Sequence, residues 1–397
     1  MKKILPSLVK ALKKHQTSGK PLRAIIGFDG YVNTIQKIIK NKHNGHISFY
    51  NSISEVAEQL SNLAGENANI ELRHLETKMG GVAPTLANSL GALNIKSVCV
   101  GTMGYPDLNS AFEEMHPNCE LITIAAPAKT NTLEFSDGKL VFSEESTFEQ
   151  LTWTYIAALA GIDNIGRWIY ESHLVAFANW SNITHSTDIW KGILNDIVIN
   201  LAPSSNHKPI NYFTSSKSRI VEDEDEGYGM RYKNFFFDFA NLLKHTSEEV
   251  LKALEVIKEY TLYGKVTLSL PTKDAIYLYE LLGGEYAEER EPTDIAKWIY
   301  DHTHIHQIVI SGKHKAVVAL KNREVTLQGS SSIQERVTTG GCEHLNAGFC
   351  LGLLLDLTVE QTTALAMANY ELYLINGASP EFEDIIKHLI EWEKEFH

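Results

Sequence analysis

The chain is poor in cysteine, with only Cys99, Cys119, Cys342 and Cys350 in 397 residues. Four scattered thiols are too few for a disulfide framework, and no CxxC pair marks a zinc site. Positive charge is also short: 36 Lys and Arg face 49 Asp and Glu, a formal net charge of −13. That balance disfavours broad attraction to a nucleic acid polymer or an anionic membrane and leaves room only for a local anion pocket. Long apolar runs are missing as well; none approaches the ~18 residues of a membrane span, and Lys10, Lys13 and Lys14 interrupt the N-terminal stretch before it could act as a secretion signal. Ile4, Leu8 and Leu12 recur there at helical spacing and predict a basic amphipathic first helix. A cytoplasmic protein without a membrane or nucleic acid partner is expected.

What is present is a repeated order of elements. The short apolar runs RAIIGF, SVCVGT, LVAFAN, FFFDFA, KVTLSL and QIVISG end in small or polar residues and alternate with helix-period segments at 81–93, 186–199, 246–260 and 272–282. Such alternation predicts parallel strands in βαβ units, buried on both faces. Ligands of these sheets bind beyond the carboxyl ends of the strands, so residues just after each run are candidate site residues. Two stretches break the rhythm. Residues 119–143 alternate apolar and polar around Asp137-Gly138, a hairpin signal, and residues 46–50 form another short strand candidate. A small antiparallel lid sheet is expected from about 44–50 and 119–143. The acidic run Glu222–Glu226 lacks a ligand register and reads as a solvated loop. His302, His304 and His306 alternate without carboxylate or cysteine support and read as surface polarity.

The most informative stretch is Val337-Thr338-Thr339-Gly340-Gly341-Cys342-Glu343-His344-Leu345-Asn346-Ala347-Gly348-Phe349, which runs into the apolar CLGLLLDL. Glycines just before a long helix let the chain turn tightly and leave backbone N–H groups at the positive end of the helix dipole, a site for an anion. A carboxylate in the first turn, Glu343, would lie beside a phosphate held there and could take the proton of an attacking hydroxyl. The plainer alternative is that Thr339 caps the helix and Glu343 only favours its dipole. Cys342 as a nucleophile paired with His344 is a third reading, opposed by the i+2 spacing, which puts the two on different helix faces.

This stretch resembles the C-terminal signature of the ribokinase-like (PfkB) carbohydrate kinase family, whose pattern runs Asp-Thr-Thr-Gly-Ala-Gly-Asp-Ala-Phe-Asn-Ala-Gly-Phe; Thr338, Thr339, Gly340, Asn346, Ala347, Gly348 and Phe349 match in register. MGGVAPTLANSLGAL (79–93) is similar to the family's Gly-Gly substrate segment and following helix, and GFDGYVNTI (27–35), CVGTMGYPD (99–107), IVISGKHKAVV (308–318) and ANYELYLINGASP (368–380) extend the likeness over most of the chain. The resemblance implies one ribokinase-like α/β domain over 1–397, three-layered, with a mostly parallel sheet and a β lid. It implies transfer of the γ-phosphate of ATP, with Mg²⁺, to a hydroxyl of a sugar or nucleoside, and a homodimer formed through the lid. Carried onto this chain, the catalytic set is Glu343 as base with Gly340, Gly341 and Cys342 as anion hole. Substrate-binding residues are Asp29, Asn33, Gly80, Gly81 and Thr85. Nucleotide-binding residues are Ser311, Gly312, Thr339, Asn346, Asn369 and Gly377, with the 377–379 turn beside the base, and Asp274 is the metal-side carboxylate.

The departures fall on the chemistry. Glu343 replaces the family's Asp and is one methylene longer, Cys342 replaces a glycine, and Val337 replaces an Asp associated with a monovalent cation. Pro271 and Asp274 stand in an Asn-x-x-Glu motif, and Thr85 replaces a common Asn. Asp238 is either a polar ligand or a turn cap at a strand end. A homologue of weakened activity that binds a sugar or nucleotide for regulation or assembly is therefore the alternative, and neither the acceptor nor the choice of ATP over ADP follows from the residues. A nicotinamide-dependent oxidoreductase is disfavoured because no GxGxxG follows the first strand.

Overall fold

The six apolar runs lie side by side in the computed structural model, which describes residues 3–19, 21–201, 233–329, 333–337 and 339–395. The acidic run at 222–226 lies outside the described residues. Strands β1 (Arg23–Phe28), β5 (Lys96–Gly101), β9 (Leu174–Phe177), β10 (Asn234–Asp238), β11 (Lys265–Pro271) and β12 (Gln307–Gly312) are all parallel. β6 (Cys119–Thr123) extends one edge in parallel, and the antiparallel pair β13 (Lys315–Leu320) and β14 (Arg323–Gln328) closes the other, giving the order β14-β13-β12-β11-β10-β9-β1-β5-β6.

Alternation along each strand sends side chains into two cores. Ile25, Val175, Phe235 and Phe237 face α4 (Trp153–Ile156), α5 (Ile162–Glu171), α6 (Ser186–Ile193), α7 (Ile199–Leu201), α8 (Ser247–Tyr260), α9 (Thr272–Leu281) and α10 (Pro292–Thr303). Ala24, Ile26, Ala176 and Phe236 face α1 (Ile4–Ser18), α3 (Val82–Ala92), α11 (Gly341–Leu354), α12 (Val359–Asn376) and α13 (Phe382–Lys394). The result is three layers, and both faces of the sheet are covered, as near-continuous apolar strands require.

A separate small sheet holds β2 (Tyr31–His43), β3 (His46–Phe49), β4 (Leu72–Gly80), β7 (Ala128–Phe135) and β8 (Gly138–Glu144), with α2 (Ile53–Asn62) packed on it. Phe135 pairs with Gly138 across Ser136-Asp137, and Asp137 Oδ1 accepts the Ile53 N–H at 3.0 Å, tying that turn to α2. Residues 119–123, expected in this sheet, belong to the large one: Leu121 packs toward the α3 side and Ile122 toward the α5 side, so helices cover both faces, and Pro127 separates β6 from β7. β2 and β4 had no place in the sequence reading, because β4 is exposed along most of its length and carries almost no core periodicity.

From β1 the chain passes through β2–β4 to β5 and β6 on one side, then returns to place β9–β12 on the other. The order therefore reverses at β1, and a crevice opens at the carboxyl ends of β5, β1 and β9, where such sheets take ligands. The small sheet stands over it.

Candidate active site

The cleft at this reversal has a volume of ≈ 1860 Å³, more than the roughly 300–1,000 Å³ typical for one small molecule, so two small molecules fit side by side. Tyr31, Asn33, Thr130 and Glu145 from the small sheet and the segment after it line it together with Gly80, Gly81, Thr85, Asn179, Thr339, Gly340, Glu343 and Gly377. Residues far apart in sequence are thus brought to one wall-to-wall space.

Asp29, which follows β1, is fully buried. Val82 N–H donates to its Oδ2 and Ala83 N–H to its Oδ1, each at 2.7 Å, and Asn179 Nδ2 donates to Oδ2 at 2.7 Å. The carboxylate caps α3 from a neighbouring strand, taking two of the N–H groups that a helix start leaves unpaired. Gly81 makes the turn with φ of 104°, and a Cβ there would come within 2.9 Å of Asp29 Oδ2. Burial pushes the Asp29 carboxyl above its ordinary range, while the hydrogen bonds from Ala83, Asn179 and Val82 pull it down. Asp29 therefore lies just beneath the residues that line the cleft, where it supports the start of α3. Asn33, Gly80, Gly81 and Thr85 do line the cleft, and Asn33 Oδ1 accepts from Thr130 Oγ1 at 2.6 Å. Asn179, at the end of β9, went unnoticed in the sequence, although its place just after a strand run was the available signal.

Across the cleft, Gly340 precedes α11 in the left-handed region, with φ of 87° and ψ of −2°. A Cβ at Gly340 would sit 2.4 Å from the Tyr373 hydroxyl, so both backbone and packing demand glycine. The N–H groups of Gly341, Cys342 and Glu343 then form the positive end of α11. Glu343 is half-buried and lines the cleft. Burial pushes its carboxyl up, its own backbone N–H pulls it down, and the Asp29 charge adds to the rise; a raised carboxylate is a stronger proton acceptor.

Cys342 is exposed at the helix start, outside the cleft lining, and Ser311 Oγ donates to its Sγ at 3.8 Å. Protein packed behind the thiol and the Glu343 charge push it up to about 12, which leaves little thiolate at neutral pH and removes the nucleophile reading. Ser311 and Gly312 end β12, where Thr272 Oγ1 donates to the Ser311 carbonyl at 3.0 Å. They thus share the Cys342 side of α11, while Thr339 and Gly377 share the cleft side.

Two expected nucleotide ligands have partners inside the fold. Asn346 is buried, donates from Nδ2 to Asp238 Oδ2 at 2.6 Å and accepts from Ser269 Oγ at 2.8 Å. Asn369 is fully buried and donates to the His344 carbonyl at 2.6 Å and to Ser89 Oγ at 3.1 Å. Both amides join helices to their neighbours inside the fold, Asn369 through Nδ2 alone with its Oδ1 unpartnered, and neither lines the cleft.

Behind Glu343 lie two further carboxylates. Asp238 caps its own turn by accepting the Ala240 N–H at 2.8 Å, and burial followed by the Glu343 charge raises it to about 7. Asp274, in the first turn of α9, is buried with Oδ2 unpartnered, and burial raises it to about 6 against a hydrogen bond from the Leu242 backbone. Among the described residues no group of three His, Cys, Asp or Glu is arranged to hold a metal ion. The raised values mean that the folded chain keeps protons the unfolded chain has released between about pH 4 and about 7, so stability falls as pH rises through that window. Asp238→Asn abolishes its share: the unfolding free energy of the variant relative to wild type should climb from pH 4 to pH 7 in urea titrations, and a pH-independent difference would contradict the buried-proton account.

Comparison with known proteins places this geometry among phosphotransferases. The model of the family described as prokaryotic ketohexokinase matches residues 8–208 and 233–392. A ketohexokinase from Haloferax volcanii is 20% identical over 366 residues, covering 91% of this chain and 89% of the relative. Among solved structures, a nucleoside kinase from Methanocaldococcus jannaschii, an archaeal member of the ribokinase family, superposes with a TM-score of 0.55 at 12% identity, covering 94% of this chain and 99% of that one. A candidate ribokinase II from E. coli, in complex with ATP and Mg²⁺, gives 0.57 at 8% identity, covering 95% and 100%. At these identities the solved structures establish the ribokinase fold alone. No helix among the described residues is long and apolar enough to cross a membrane.

Proposed function

Because the chain belongs to the prokaryotic ketohexokinase family, we propose that it is a sugar kinase that moves the γ-phosphate of ATP to a hydroxyl of a ketohexose. The observation that carries this reading is the pairing, on one cleft, of the Gly340 turn at the start of α11 with the carboxylate of Glu343 in the first turn of that helix. Glu343 takes the proton of the attacking hydroxyl as its oxygen bonds to the γ-phosphorus and the bond from that phosphorus to the β,γ-bridging oxygen breaks, releasing ADP, and the N–H groups of Gly341, Cys342 and Glu343 meet the charge on the transferring group. Asn33, Gly80, Gly81 and Thr85 bound the acceptor, with Asp29 holding α3 beneath them. Ser311, Gly312, Thr339 and Gly377 bound the nucleotide, and the small sheet excludes water as a lid.

An uncharged acceptor fits the lining. Lys78 pairs with Glu76 at 3.5 Å, Lys139 with Glu134 at 3.1 Å and Lys244 with Glu145 at 3.8 Å, Lys37 lies 5.8 Å from the Phe49 ring centroid, and Arg336 donates to the Asn376 carbonyl at 3.3 Å. Three of these five cations are paired with carboxylates of the lining, which lowers the net positive charge an anionic acceptor would meet.

Mg²⁺ bound with the nucleotide would neutralise phosphate charge, and the residues fit an ion held mainly by phosphate and water. Asp274, with its unpartnered Oδ2, is the carboxylate that would accept from such water. A homodimer through the small sheet is supported by its exposed apolar side chains, among them Leu72, Leu75, Val141 and Phe142. Sedimentation of the purified chain at the dimer mass tests that association.

The experiment for the activity is an assay of phosphorylated acceptor with ketohexoses, aldohexoses and nucleosides as acceptors and ATP (releasing ADP) or ADP (releasing AMP) as donor, with and without Mg²⁺. Ketohexose-dependent, ATP-dependent turnover is expected. Ligand binding without turnover on any acceptor would instead establish the binding-protein alternative.

A further inference from the structure

We propose that His344 is a positioning residue that fixes the aim of the anion-holding turn at the start of α11 by grasping the Gly340 carbonyl, a role that rests on the phosphotransfer reading above. The pattern this segment resembles has alanine at that place, which could make neither contact of the ring.

The His344 ring is almost fully buried. His344 Nδ1 lies 2.6 Å from the Gly340 carbonyl and Nε2 lies 2.9 Å from Ser379 Oγ. A carbonyl can only accept, so Nδ1 carries the hydrogen and Nε2 must accept from the serine hydroxyl. Ser379 Oγ in turn accepts from Asn88 Nδ2 at 3.2 Å, and Asn88 Oδ1 accepts from the His116 N–H at 2.7 Å. Every link has one donor and one acceptor, and the direction is uniform from His116 to Gly340. Burial lowers the imidazole to about 4, so it stays neutral at working pH and keeps this single tautomer.

Packing locks the same geometry. The His344 ring stacks on Tyr373 with centroids 3.6 Å apart and planes at 11°. Tyr373 is also the residue against which Gly340 lies, since a Cβ at Gly340 would meet its hydroxyl at 2.4 Å. Asn369 Nδ2 holds the His344 carbonyl at 2.6 Å. The turn, the ring and α12 therefore form one rigid block. Through Ser379 and Asn88, both on the cleft, that block is joined to α3, the helix whose start bounds the acceptor. Rotation of the Gly340 peptide would swing the N–H groups that follow it, and misplacement of about 1 Å near reacting atoms costs as much as about 10² in rate.

Two near-isosteric substitutions separate the contacts. In His344→Asn the amide nitrogen can take the place of Nδ1 and still donate to the Gly340 carbonyl, whereas in His344→Gln the amide reaches the place of Nε2 and Ser379 and leaves the carbonyl only the long 3.4 Å bond from the backbone N–H of residue 344. His344→Ala removes both. If His344 aims the turn, Ala and Gln lower kcat by roughly 10–100-fold with acceptor KM changed by less than about threefold, while Asn stays within about threefold of wild type. A second readout needs no turnover: calorimetric preference for ATP over AMP, with Mg²⁺, should drop about tenfold in Ala and Gln and hold in Asn. Rescue by Gln and not Asn, equal losses in all three, or no loss in any would overturn the proposal. A wild type that transfers no phosphate to ketohexoses but shows the binding pattern would refute the kinase reading and leave the role of His344 standing. Absence of ATP binding by the wild type would remove both.

Discussion

Glu343→Gln is expected to lower kcat by roughly 10²–10⁴-fold while leaving ATP affinity and acceptor KM nearly unchanged, the range for loss of a general base. Gln keeps the size of the side chain and an acceptor oxygen but cannot take the hydroxyl proton. The size of the loss follows from the setting: Glu343 faces the cleft beside the left-handed Gly340 turn, and burial raises its carboxyl. Glu343→Asp separates chemistry from reach, since it keeps the carboxylate and withdraws it by one methylene. Turnover of the Asp variant well above that of Gln would assign the loss to proton transfer; equal loss in both would assign it to position. A Gln variant as active as wild type would remove Glu343 from the reaction.

Asp29→Ala is expected to have the largest effect on stability. Three donors end on this buried carboxylate, the Val82 and Ala83 N–H groups and Asn179 Nδ2, all at 2.7 Å, with Ala83 and Asn179 buried and Val82 partly so. Each buried donor left without a partner costs about 1–3 kcal/mol, so a loss of roughly 2–5 kcal/mol in unfolding free energy follows, with the range allowing for water entering the gap. Urea unfolding measures it directly. Because α3 bounds the acceptor side of the cleft, the same variant should raise acceptor KM more than ATP KM. A stability change under about 0.5 kcal/mol would mean that α3 does not depend on this cap.

The parts of the fold that were readable are those with strong local periodicity. RAIIGF through QIVISG form adjacent parallel strands because residues buried on both faces must be apolar throughout, and the helix starts at Thr246 and Thr358 carry capping boxes in their own sequence. The small sheet was only half readable. Its hairpin turn at 136–137 has local chemistry, whereas β4, exposed on both sides for most of its length, has none, and Cys119–Thr123 carried an alternation that served two cores and not one lid.

Site residues divide in the same way. The Gly340 turn and Glu343 were visible because a glycine-rich helix start is a local pattern. The buried partners of Asp29, Asn346 and Asn369 at 2.6–2.7 Å were not legible, because strand-end and helix polar residues look alike in sequence whether they meet a ligand or the next helix. His344 drew notice only as a possible partner of Cys342, and its link through Ser379 to Asn88 was not legible because the packing of α11, α12 and α3 creates it.

The central claim is direct transfer of phosphate from ATP to a ketohexose hydroxyl on this cleft, and ³¹P NMR of the purified chain with ATP, Mg²⁺ and D-fructose tests it most directly. A phosphomonoester resonance of the sugar should grow in step with ADP as the γ-phosphate resonance of ATP decays, and the growth should vanish with Glu343→Gln. Decay of ATP to inorganic phosphate alone, or no change with fructose or any other ketohexose while ATP is bound, would contradict it.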